Sequence, residues 1–190
     1  MSRVHIGRLL VRLTIGATFF VHGTQKLFGW FGGHGPDGTG QFFESLGLRP
    51  GKRNAVAAGV TEAGGGVLVA LGLATPFAAA GLSAVMITAL RTAVWNEGFK
   101  LATGEHEVLL AAAALALTET GPGTPSLDSA LGLARSGPGW TLAALAAGAG
   151  GSAMAISLGQ REPAATPAPD PAGAPATTEA PPAPEPRSSD

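Results

Sequence analysis

Residues 19–31, F-F-V-H-G-T-Q-K-L-F-G-W-F, decide the fold. They end an apolar run that begins at Leu9 and is long enough to predict a first membrane-spanning helix, since about 20 apolar residues cross a bilayer. His22 and Lys26 lie four residues apart and therefore share one face of that helix. Ionisable side chains inside an apolar span usually face a protein interior or a polar cavity. The segment therefore predicts that further helices pack around His22 and Lys26.

The composition indicates a membrane protein. Of 190 residues, 45% are hydrophobic and only 13% are charged, whereas soluble domains carry about 25% charged residues. The formal net charge of −1 gives no basic surface, so no nucleic-acid partner is expected. Cysteine is absent, which excludes disulfides, Cys-ligated zinc and iron–sulfur clusters held by this chain alone. The expected surroundings are the lipid bilayer.

Further apolar segments predict an all-α, polytopic membrane four-helix bundle with an additional fifth transmembrane helix. The predicted spans after the first are residues 54–74, 77–95, 105–118 and 140–158. The fourth span is short, and two alternatives for it are an extension back through Leu101 and a short helix that packs against its neighbours. Between the first and second spans, residues 32–40 are expected to be a glycine-rich loop and residues 41–48 a short interfacial helix. Residues 119–138, rich in Gly, Pro and Ser, are expected to be a loop.

This reading divides the chain into three parts. Residues 8–134 form the four-helix membrane domain, and residues 139–158 form the fifth transmembrane helix. Residues 159–190 form a tail rich in Pro and Ala with almost no large apolar side chains. Such a composition cannot build a core, so the tail is expected to be disordered.

The order of the spans places their polar residues near one end of the bundle. We call this end side B: the first and third spans end there, and the second and fourth begin there. Counting 1.5 Å per residue from side B, His22 and Glu62 lie about 12 Å deep, and Lys26 and Arg91 lie about 7 Å deep. The residues expected at the side-B rim are Glu105, His106 and Glu107.

These residues form a polar membrane cluster, a candidate ligand pocket. Glu62 is too short and too deep to reach water, so it requires Lys26 or Arg91 as a partner. Two alternatives are an ion-pair network that only fixes helix packing, and independent snorkelling of the two cations to the interface. The predicted members are His22, Lys26, Glu62, Arg91, Glu105, His106 and Glu107. No metal site is predicted, because His34, Asp37 and Glu44 are interpreted as solvated loop residues.

Several short motifs, in this order and at these spacings, resemble the DoxX family of small bacterial integral membrane proteins. They are His22-Gly23-x-x-Lys26, Glu62 with the glycines that follow it, Gly72-Leu73-x-Thr75, Gly104-Glu105-x-Glu107 and Gly121-x-Gly123-x-x-Ser126-Leu127-Asp128. The resemblance covers residues 8–131. It implies a multi-pass protein of the bacterial cell membrane. It also implies an association with redox systems, including thiosulfate–quinone oxidoreduction and oxidative-stress defence.

Three functions fit these observations. The first is a small subunit of a membrane redox assembly, with a quinone headgroup in the side-B pocket and an oxidoreductase as partner. The second is a non-enzymatic scaffold or anchor in which the polar cluster fixes helix packing. The third, a small-solute transporter, is disfavoured because the clustered ionisable residues do not cross the membrane. The chain carries no catalytic or cofactor signature that assigns it an activity of its own.

Overall fold

The computed structural model describes residues 4–94 and 101–161, and the chain is entirely helical in its regular structure there, which confirms the predicted all-α class. The tail is predicted to begin at residue 159, and its residues after Arg161 lie outside this range. The helices are α1 Ile6–Phe28, α2 Gly35–Ser45, α3 Gly51–Leu71, α4 Thr75–Ala89, α5 Leu101–Thr120, α6 Leu127–Ala130 and α7 Pro138–Arg161. A 3₁₀ turn, Trp30–Gly32, follows α1, and a π-helical stretch, Leu90–Val94, continues α4.

Five of these helices, α1, α3, α4, α5 and α7, pack into the bundle. Large apolar side chains from four of them meet in its core, because each helix turns its most buried face toward the same axis. The core consists of Ile15 and Phe19 of α1, Val69 of α3, Ala78, Leu82 and Met86 of α4, and Leu110 and Leu117 of α5.

Close antiparallel contact joins α1 to α3. A Cβ atom placed on Gly16 would lie 2.6 Å from the carbonyl oxygen of Gly66, and one on Gly66 would lie 2.7 Å from the backbone nitrogen of Phe20. Only glycine permits this backbone approach. Of the glycines after Glu62, Gly65 faces Leu82 of α4 and Gly64 faces open space. The two helices that carry Lys26 and Glu62 are thereby held against each other.

The prediction that residues 32–40 form a loop was wrong, because α2 already begins at Gly35. Pro36 occupies the first turn, where its missing N–H costs nothing. Asp37 in the same turn suits the positive end of the helix dipole. Gly40 lets the helix lie directly on the start of α3, since a Cβ atom there would lie 2.7 Å from the backbone nitrogen of Lys52. α2 therefore covers the side-B end of the bundle.

Among the helices of residues 4–94 and 101–161, two are long and apolar enough to cross a membrane by length and composition. They are Gly51–Leu71, with a mean hydropathy of 1.3, and Pro138–Gln160, with a mean hydropathy of 1.5. Only 28% of each apolar window is buried inside the protein. Their apolar surfaces therefore point mostly outward, unlike those of a core helix in a soluble protein.

Candidate functional site

Lys26 and Glu62 form an ion pair between α1 and α3. Lys26 Nζ lies 2.6 Å from Glu62 Oε2, and 3.5 Å from the carbonyl oxygen of His22. The Glu62 side chain is 1% exposed, whereas that of Lys26 is 23% exposed. No described residue gives Oε2 a hydrogen bond of good geometry, so the ion pair is its main compensation for burial. Lys26 and Arg91 were the two expected partners of Glu62, and Lys26 is the one that forms the ion pair.

A cavity of about 590 Å³ opens beside this ion pair, between α3 and α4. The two helices meet closely where a Cβ atom on Gly81 would lie 3.2 Å from the Thr61 side chain, and the cavity reaches from that level toward side B. Small and apolar side chains form most of its wall, including residues of α2 and α7. The aromatic and aliphatic part is contributed by Phe42, Phe43, Leu46, Leu48, Val85 and Met86.

The polar end of the cavity brings together five of the seven predicted cluster residues. These five, the polar cavity cluster, are His22, Lys26, Glu62, His106 and Glu107. The rings of His22 and His106 lie 5.3 Å apart between centroids. Glu107 Oε2 is buried and has no hydrogen-bond partner among the described residues. The cavity thus presents imidazole, ammonium and carboxylate groups at one end of a mostly apolar space.

The expected depth of His106 was wrong. The side-B rim position assumes a fourth span that begins at Glu105, whereas the structure shows the longer alternative, in which α5 begins at Leu101 and His106 lies in its second turn. The extra turn carries His106 to the level of His22, and the two rings meet. Each residue by which the predicted start of a helix is displaced changes the counted depth of its side chains by 1.5 Å. An error of several residues therefore assigns a side chain to the wrong depth.

Arg91 and Glu105 lie outside the cavity wall, and both are exposed. Arg91 belongs to the π-helical stretch Leu90–Val94 at the end of α4. Glu105 precedes the two cavity residues of α5, His106 and Glu107, and points away from the wall that they form. Their placement leaves Lys26 as the one cation of the predicted cluster that contacts Glu62.

Asp37 and Glu44, interpreted from the sequence as solvated loop residues, lie in α2 and contact α3 in the structure. Asp37 Oδ1 pairs with Lys52 Nζ at 2.7 Å, and both side chains are exposed. Glu44 Oε1 accepts a hydrogen bond from the backbone N–H of Gly51 at 3.0 Å, which ties α2 to α3. Within residues 4–94 and 101–161, no three His, Asp or Glu side chains gather closely enough to hold a metal ion.

A second buried polar network, not anticipated from the sequence, lies at the opposite end of the bundle, side A. The carboxylate of Asp128 accepts hydrogen bonds from the backbone N–H groups of Ala74 and Thr75 at 2.9 and 3.1 Å, and from Thr75 Oγ1 at 2.9 Å. Nearby, Arg12 Nη1 donates to the carbonyl oxygen of Pro122 at 2.8 Å. Two sequence motifs meet in this network, Gly72-Leu73-x-Thr75 and Ser126-Leu127-Asp128. They were the available signal for it in the sequence. The network fixes the turn between α3 and α4.

Comparison with known proteins identifies the family. The DoxX family profile matches residues 7–95, from α1 to the residue after the π-helical stretch. A protein of Bacillus subtilis (strain 168), described as "Putative oxidoreductase CatD", is 37% identical over 123 residues, which cover 65% of this chain and 85% of that protein. The chain belongs to the DoxX family, which is a membrane family. No solved structure matches the chain significantly.

Proposed function

We propose that this protein is a multi-pass protein of the bacterial cell membrane that binds an amphipathic molecule of the quinone class, as a small subunit of a redox assembly. The observation that carries the proposal is the cavity of about 590 Å³, apolar over most of its wall and polar at one end. Ligand sites of this size typically combine an apolar wall with a few convergent polar groups. A quinone has the complementary shape, with two carbonyl oxygens on a ring and an apolar tail.

The polar cavity cluster suits a quinone headgroup. His22, His106 and Lys26 can donate hydrogen bonds to carbonyl oxygens. Glu62 and Glu107, both on the cavity wall, can exchange protons with a bound ring. A quinone, when bound, supplies two-electron, two-proton chemistry. The apolar wall near Phe42 and Phe43 can contact its tail.

The helix lengths support insertion as five membrane spans. A bilayer core of about 30 Å requires about 20 helical residues. α1, α3, α5 and α7 have 23, 21, 20 and 24 residues. The 15 residues of α4 are extended by a π-helical stretch of five. Exposed apolar side chains, such as Leu13, Val60, Phe77 and Leu142, provide the lipid-facing surface.

The proposed redox partner is supported by the family rather than by a surface of this chain. The relative in Bacillus subtilis is described as a "Putative oxidoreductase". In the proposal, an electron donor or acceptor protein completes the activity. Its expected role is to exchange electrons with the quinone held in the cavity.

Purification from native membranes tests the proposal, with quinone quantified by mass spectrometry after solvent extraction. Wild-type protein in a mild detergent is expected to retain quinone near one per chain. Ala58→Phe places a ring into the cavity from α3 and should displace it. Val60→Phe adds the same ring on the exposed face of α3 and is the matched control. Equal quinone in the two variants, or none in the wild type, would refute the proposal.

A scaffold role is the second candidate, and the Lys26–Glu62 ion pair favours it. This pair bridges α1 and α3, whose backbones are in direct contact. Buried polar pairs can select one packing arrangement among several. In a pure scaffold, Ala58→Phe would leave the activity of the assembly unchanged, whereas loss of the ion pair would release the partner proteins.

A further inference from the structure

A second, smaller cleft lies at side B between the start of α3 and the end of α7. Its volume is about 110 Å³, and its wall consists of Arg49, Arg53, Asn54, Ala155, Leu158 and Gly159. Two guanidinium groups therefore stand at the level where α3 begins and α7 ends. Asn54 and Ala155 also belong to the wall of the large cavity, so the cleft adjoins it.

Direct contacts between the two elements build the cleft. The backbone N–H of Arg49 donates to the carbonyl oxygen of Gly159 at 3.1 Å. A Cβ atom on Gly159 would lie 3.1 Å from the Cα atom of Leu48, so the end of α7 lies against the loop that precedes α3. The backbones of Arg49 and Gly159, both in the cleft wall, are therefore joined directly.

Three polar side chains of the cleft, those of Arg49, Arg53 and Asn54, have no ion-pair or hydrogen-bond partner of their own among the residues that the structure describes. Neither Arg49 nor Arg53 forms an ion pair within the described residues, whereas the neighbouring Lys52 pairs with Asp37 at 2.7 Å. Asn54 Nδ2 is buried and has no hydrogen-bond partner in the described part of the chain. Two guanidinium groups and an amide donor, none of them paired within the described residues, form a site for an anion with several acceptor oxygens.

We infer that this cleft binds the phosphate group of an anionic membrane lipid. Basic pockets between membrane helices recognise such headgroups, and guanidinium matches phosphate with paired hydrogen bonds. Leu158 lines the cleft and is exposed, and Met154 lies one turn farther from side B on the exposed surface of α7. An acyl chain that leaves the cleft can follow Leu158 and Met154 toward the middle of the bilayer.

The test uses the full-length protein in nanodiscs of phosphatidylcholine that contain a minor fraction of phosphatidylglycerol. Native mass spectrometry after gentle release counts the phosphatidylglycerol molecules retained per protein. Wild-type protein is expected to retain one in preference to phosphatidylcholine. The variant R49A/R53A should lower this retention about tenfold, since two charge-assisted contacts are lost. R53K should lower it partly, because lysine keeps the charge but not the paired hydrogen bonds.

Lys52→Ala is the matched control, because it removes an exposed cation next to Arg53 but outside the cleft. Retention should change less than about twofold in this variant. A loss in Lys52→Ala equal to that in R49A/R53A would indicate unspecific attraction and overturn the assignment. Displacement of the lipid by millimolar inorganic phosphate would identify a free-anion site and also overturn it. Unchanged melting of R49A/R53A would show that the fold survives.

Discussion

Removing either partner of the Lys26–Glu62 ion pair should destabilise the protein. The loss in free energy of unfolding should differ between the two variants. Lys26→Ala leaves the carboxylate of Glu62 buried at 1% exposure without its cation. Breaking a buried pair in this way costs about 3–5 kcal/mol. Glu62→Ala leaves Lys26, which is 23% exposed and can redirect its ammonium group toward side B. The expected loss is then smaller, about 1–3 kcal/mol.

A double-mutant cycle measures this difference. The free energy of unfolding is followed by titration with sodium dodecyl sulfate in mild-detergent micelles for wild type, Lys26→Ala, Glu62→Ala and the double variant. The double variant should be more stable than Lys26→Ala, because no charge remains buried, and the coupling energy should reach about 1–3 kcal/mol.

The exposed pair Asp37–Lys52 provides the matched control cycle. Its N–O distance of 2.7 Å is almost the same as in the buried pair, but its coupling should stay below about 1 kcal/mol because both charges are solvated. If the Lys26–Glu62 cycle is additive, or if Lys26→Ala melts like the wild type, the reasoning about burial is wrong.

Three further predictions concern separate parts of the molecule. His22→Ala should keep the wild-type melting temperature but lower retained quinone, as measured by extraction and mass spectrometry; a collapsed fold would make His22 structural. Gly66→Ala should lose about 1–3 kcal/mol in the same denaturation assay, because its Cβ would meet the α1 backbone, whereas Gly64→Ala, which faces open space, should be neutral or more stable. Asp128→Ala should lose about 2–4 kcal/mol, because two N–H groups and the hydroxyl of Thr75 lose their acceptor; wild-type stability would contradict the assigned role of the side-A network.

Periodicity and spacing predicted the helices and the central ion pair. The apolar runs located the helices that became α1, α3, α4, α5 and α7, and burial alone required a cation beside Glu62. His22 and Glu62 reach the cavity wall, and each lies well inside a long helix. The rim position counted for His106 was wrong, because it assumed a helix that begins at Glu105, four residues after the start of α5 at Leu101.

Contacts between distant segments could not be predicted from the sequence. The hydrogen bonds of Asp128 reach Thr75, 53 residues away in the chain. Likewise, the composition of α7 gave no indication that it lines the cavity. The structure shows why it packs there: Gly148 lies against Ser83 of α4, and Thr88 Oγ1 donates to Ser152 Oγ at 3.0 Å. The cavity is lined by residues of several helices, so it depends on how far these helices diverge. The sequence of one segment does not determine that divergence.

Photolabelling with a short-chain azidoquinone tests the central claim, quinone binding in the cavity, most directly. The protein is labelled in nanodiscs, digested and mapped by mass spectrometry. Labels are expected on the α1 and α3 peptides that carry Lys26, Ala57 and Glu62, and Ala58→Phe should abolish them. Labels confined to exposed side chains such as Val60, and unchanged in Ala58→Phe, would contradict a quinone site in the cavity.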